Sequence, residues 1–128
     1  MIVAGIGCRR GAPTLDIEAA IRAALERAGL ASDSLGCIAT IALKDGEAGL
    51  AAAAAKFGLT IVVVPDAELQ AAGARAVTRS ERVAALTGVP SVAEAAALAA
   101  AGPSARLISP RLVFGAATCA LARSGDAP

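Results

Sequence analysis

Residues Ile2 to Ile6 read Ile-Val-Ala-Gly-Ile, an apolar run without alternation. A strand with one wet face alternates apolar and polar residues, so an unbroken run predicts a strand buried on both faces. Such a strand needs a layer above it and a layer below it. The rest of the chain has to supply both.

It does so by alternation. A helix is predicted from Thr14, read as its cap, with Ile17, Ile21, Leu25 and Ala28 at helical spacing and Gly29 closing it. Cys37 to Leu43 reads as a second strand, and Asp45-Gly46 turns the chain into a helix that Gly58 stops. Thr60 to Val64 is a third strand of β-branched residues, bounded by Gly58 and Pro65. A short helix follows from Pro65-Asp66 to about Ala72, and another from Ser80 to Gly88. Ser91 and Glu94 form a capping-box pattern at the head of an alanine-rich helix. Residues 105–109 and 112–122 read as two strands, paired antiparallel around Pro110-Arg111. This predicts a three-layer α/β/α domain over residues 1–122, with a mostly parallel, mixed sheet of about five strands. The first strand is expected inside the sheet, flanked by the second and third. Residues 123–128 are expected to be a flexible tail.

Composition narrows the chemistry. The 128 residues include no Trp or Tyr and only two Phe, although 56% are hydrophobic. The core is therefore aliphatic, and no aromatic platform for nucleic-acid bases is available. A net charge of +1 argues against a general polyanion binder. The absence of histidine removes Ser-His-Asp triads, Cys-His pairs and imidazole acid/base catalysis. Cys8, Cys37 and Cys119 are widely spaced and form no CxxC, so neither a metal, a disulfide framework nor another cofactor is expected. No membrane span and no signal peptide are read, so the expected compartment is the cytoplasm.

Ligands of an open parallel sheet bind beyond the carboxyl ends of its strands. There the sequence places Gly5, Gly7, Cys8, Arg9, Arg10 and Gly11 after strand one, and Lys44 after strand two. The two arginines, the lysine, glycine amides and the start of the first helix all favour an anion. Gly5-x-Gly7 matches a dinucleotide fingerprint poorly: the third glycine falls at position 11, and Leu43-Lys44 stand where a ribose-binding acid belongs. A packed Cys8 thiol and a solvated Arg9-Arg10 turn are the ordinary alternatives.

The segments GIGCRRG, ATIALKDGEAGL and TGVPSVAEAAAL, in that order, resemble the family formed by CobE and the C-terminal domain of CbiG, both of cobalamin biosynthesis. The likeness runs from about Val3 to the last strand. It implies a role in vitamin B12 formation and, without the N-terminal region of a full-length CbiG, similarity to the stand-alone members of the aerobic route. The implied ligand is a corrin or precorrin intermediate, an apolar macrocycle fringed with carboxylates. Arg9, Arg10 and Lys44 would grip the fringe while the glycines allow close approach. Three roles follow: an accessory or carrier protein, a precorrin hydrolase of the lactone-opening type, or a docking module for other pathway enzymes. A hydrolase would need Glu47, Asp66, Glu81 or Glu94 as base, or Cys8 as nucleophile, and the sequence shows none of them with an activating partner.

Overall fold

A computed structural model describes residues 1–41, 47–73 and 91–125. The expected Asp45-Gly46 turn, Lys44, and the expected helix from Ser80 to Gly88 lie outside them. The elements in chain order are β1 (Ile2–Cys8), α1 (Thr14–Ala28), a 3-10 turn (Ser32–Ser34), β2 (Leu35–Thr40) and α2 (Ala48–Phe57), then β3 (Ile61–Val63), α3 (Asp66–Gly73), α4 (Val92–Ala101), β4 (Arg106–Phe114) and β5 (Ala117–Arg123).

The strands form one sheet in the order β3-β2-β1-β5-β4. β1 is central, as its unbroken apolar run requires, but its neighbours are β2 and β5 rather than β2 and β3. β2 pairs parallel to β1, and β3 extends the same parallel series outward from β2. β5 pairs antiparallel with β1 along all seven residues, from Ile2 opposite Arg123 to Cys8 opposite Ala117. The closing hairpin thus inserts its second strand at the sheet centre and leaves β4 at the edge.

That hairpin turns at Gly115-Ala116, not at Pro110-Arg111. Gly115 has φ +56, the value a two-residue link with glycine first demands. Pro110 lies within β4, at an irregularity between Ser109 and Leu112 where pairing with β5 lapses. An edge strand tolerates a proline at such a place because no ladder bond is lost there. Arg123, expected in the tail, pairs in β5, and Ser124 N–H donates to the Met1 carbonyl at 2.9 Å.

Two other boundaries move. Pro13, with φ −61 and ψ 144, precedes α1 as its cap, so Thr14 is the first helical residue. β2 begins at Leu35, two residues earlier than expected, and its ladder with β3 includes Ile38 N–H to Thr60 O and Val64 N–H to Thr40 O.

α1 and α2 cover one face, over Ile6, Ile38, Cys119 and Leu121. α3 and α4 cover the other, over Val3, Ala39 and Ala122. Ile17, Ile21, Leu50 and Leu98 are fully buried in these layers, each contributing about 1.5–3 kcal/mol by leaving water. α4 is almost entirely buried, and its small alanines let it lie close on β1. No helix among the described residues is long and apolar enough to cross a membrane.

Candidate functional site

The loop between β1 and α1 stands at the carboxyl edge of the sheet and is pinned from both sides. Arg9 N–H donates to the Ala116 carbonyl at 2.9 Å, which prolongs the β1–β5 ladder by one step. Ala116 N–H in turn donates to Asp16 Oδ2 at 3.0 Å, tying the hairpin turn to the first turn of α1. On the opposite side, Gly11 N–H is shared between Glu47 Oε1 at 2.8 Å and Oε2 at 3.2 Å. Glu47 caps α2, so the loop is fixed to the elements after both β1 and β2.

Arg9 and Arg10 project from this loop and are exposed. Neither guanidinium has an ion-pair partner among the described residues. Three other cations of this chain are committed elsewhere. Arg22 and Lys56 hold Glu18 at 3.2 and 3.1 Å, and these hydrogen bonds, Lys56 first, lower the Glu18 pKa. Arg27 donates to Ser109 Oγ and to the Pro110 carbonyl.

The remaining expected site residues divide. Gly11 has φ +72, which shapes the loop, but its amide is given to Glu47 rather than left for a ligand. Gly5 does not offer close approach to a ligand, because α4 already fills that space. A methyl group at Gly5 would overlap the Ala93 carbonyl and come within 2.7 Å of Ala97 N. Gly7 is partly exposed, with Thr118 Oγ1 donating to its carbonyl at 3.1 Å. Cys8 is 9% exposed and joins the apolar cluster under α1. Lys44 lies outside the described residues, as does Glu81.

Of the acids weighed as bases, Glu47 is engaged by Gly11, and Asp66 Oδ1 accepts from Gln70 Nε2 at 3.5 Å. Glu94 is fully buried. Ser91 Oγ accepts Glu94 N–H at 3.3 Å, as the capping box predicts, but Glu94 Oε2 accepts Arg111 N–H of β4 at 2.9 Å. The sequence reading passed over Asp16, Arg111 and Thr118. Asp16 carried only a first-turn signal, and the other two gain their places from strand register.

The comparisons with known proteins bear on the family and the fold. The family described as Cobalamin synthesis G C-terminus matches residues 2–122. Protein CobE of Sinorhizobium sp is 38% identical over 121 residues, covering 94% of this chain and 79% of that protein. The crystal structure of CobE, a protein from the cobalamin (vitamin B12) biosynthetic pathway, superimposes with a TM-score of 0.89 at 34% identity, over 96% of this chain and 89% of that one. Cobalamin biosynthesis protein chiG from Agrobacterium tumefaciens str. C58 is 46% identical with a TM-score of 0.77, over 98% of this chain and all of that one. With a family match over nearly its whole length and a shared mixed sheet, this chain belongs to the CobE/CbiG C-terminal family of cobalamin-biosynthesis proteins.

Proposed function

We propose that this protein binds a polycarboxylated corrin or precorrin intermediate at the carboxyl edge of its sheet, as an accessory or carrier protein of the aerobic pathway in the cytoplasm. One observation carries the reading: Arg9 and Arg10 are exposed and have no ion-pair partner among the described residues, on a loop that the Arg9 amide ties to Ala116 and the Gly11 amide ties to the Glu47 carboxylate. A guanidinium fork fixed in advance suits a carboxylate, since little further ordering is needed on binding. Lys44 is assigned the same role from sequence alone. The buried setting of Cys8 suits a packed thiol better than a nucleophile, which favours holding the ligand over transforming it.

The test is a titration of the purified protein with hydrogenobyrinic acid and with earlier precorrins, read by visible absorbance. A saturable spectral change supports binding, and product analysis then separates carrier from hydrolase. No response from any intermediate removes this reading in favour of a module that docks other pathway enzymes.

A further inference from the structure

Among the described residues, α4 leaves part of its sheet face uncovered. It starts at Val92, near Gly7, and runs back over Gly5, so the end of that face projects beyond it. A row of three residues crosses the uncovered end. A Cβ at Gly7 would stand 2.8 Å from Thr118 Oγ1 and 3.9 Å from Val92 Cβ, so Gly7 and Thr118 lie on the α4 side. Val113 is directly opposite Thr118 in the β4–β5 ladder and shares its face. Across three adjacent strands this row spans about 10 Å. Val113 is 55% exposed, an apolar side chain on a strand face with no helix of the described residues above it.

Cations stand at both ends of the row. Arg9 is two residues beyond Gly7 in a ladder that its own N–H continues, which puts it on the same face. Arg111 is two residues before Val113, and the bond from its N–H to Glu94 sets it beside the first turn of α4. The Arg111 guanidinium has no ion-pair partner among the described residues.

We infer that the carboxylate-fringed macrocycle lies flat on Gly7, Thr118 and Val113, on the α4 side of the sheet, with its rim held by Arg9 at one end and Arg111 at the other. This rests on the proposed function and adds to it a face, an apolar floor and a further arginine. The charge pattern selects the occupant: the row of Gly7, Thr118 and Val113, between two guanidiniums with no ion-pair partner among the described residues, fits a flat ring with an anionic edge. A neutral apolar partner would leave both cations unanswered.

Phe114 supplies the control. It is opposite Ala117 on the α1 side and is 47% exposed, so it is similarly apolar and accessible but on the other face. The experiment measures the dissociation constant of hydrogenobyrinic acid for wild type, Arg9→Ala, Arg111→Ala, Arg111→Glu, Val113→Asp and Phe114→Asp, with thermal midpoints to confirm folding. Arg111→Ala leaves the backbone bond to Glu94 in place and should weaken binding about tenfold or more. Arg111→Glu and Val113→Asp, which set a carboxylate against the rim, should weaken it further, and Phe114→Asp should stay within about twofold of wild type. If Arg111→Ala and Val113→Asp bind like wild type while Arg9→Ala is weakened, the face is wrong and the proposed function stands. Equal losses from Val113→Asp and Phe114→Asp also overturn the face. No binding by wild type overturns both.

Discussion

The carboxylate of Glu94, fully buried in the first turn of α4, accepts the backbone N–H of Arg111 at 2.9 Å. That amide lies where β4 loses its pairing with β5, so it has no ladder partner of its own. Removing the carboxylate strands a polar group in a poorly solvated place, at a cost of about 1–3 kcal/mol. Glu94→Ala should therefore lower stability to urea by at least that much. Glu94→Gln keeps an acceptor oxygen and should lose less. Equal midpoints for Glu94→Ala and wild type would show that the bond contributes nothing.

Gly5 and Gly36 predict opposite responses to the same change. A methyl group at Gly5 meets the backbone of α4, which cannot yield without moving off the sheet. Gly5→Ala should destabilise by at least about 1–3 kcal/mol, the usual result of overpacking. At Gly36 the methyl group meets only the flexible end of the Met1 side chain, so Gly36→Ala should be nearly neutral. Thermal midpoints of the two variants decide this. A milder effect at Gly5 than at Gly36 would mean that α4 does not lie as close to β1 as described.

These two sites also mark how far sequence reading reaches. The central position of β1 was legible because an unbroken apolar run can be buried only between two layers. Its neighbour β5 was not, since a hairpin strand inserts by long-range register and leaves no local signal. Pro110 looked like a turn because proline usually ends a strand. Here Arg27 from the α1 side and Glu94 from the α4 side bind the backbone around it and keep it in β4. The Arg9-Arg10 loop was legible as a charged turn after a buried strand. Gly5 was misread because a glycine that admits a helix looks, in sequence, like one that admits a ligand.

Cys119 gives a pH dependence with a definite sign. Burial pushes its thiol up to about 12, from an ordinary value of 9.0. The folded state therefore keeps a proton that the unfolded chain gives up. Its contribution is fully present below pH 9 and is lost as pH rises toward 12, at up to about 1.4 kcal/mol per pH unit. Burial also raises Cys37, so it adds in the same direction. Cys119→Ala should be less stable at pH 7 but should lose less stability between pH 8 and 10.5. Parallel stability curves for the two proteins would place Cys119 in a wetter environment than its zero exposure indicates.

Arg9 and Arg10 should determine affinity without determining stability. Both are exposed, and the loop is held by the Arg9 and Gly11 amides, donating to the Ala116 carbonyl and the Glu47 carboxylate, with no part taken by the arginine side chains. Removing one charge-assisted contact to a ligand carboxylate should cost about 1.5–3 kcal/mol, roughly ten- to a hundredfold in affinity. Lysine at either position should recover only part of this, because it keeps the charge but loses the planar fork. The contacts are open to solvent, so affinity should fall as salt rises, and the double alanine variant should respond less to salt than wild type. Cys8→Ala, altering a packed thiol, should leave the dissociation constant almost unchanged. The measurement is hydrogenobyrinic acid binding by wild type, Arg9→Ala, Arg10→Ala, both lysine variants and the double alanine variant, at low and high salt. If the double alanine variant binds as tightly as wild type, the two arginines form only a solvated turn and the ligand sits elsewhere.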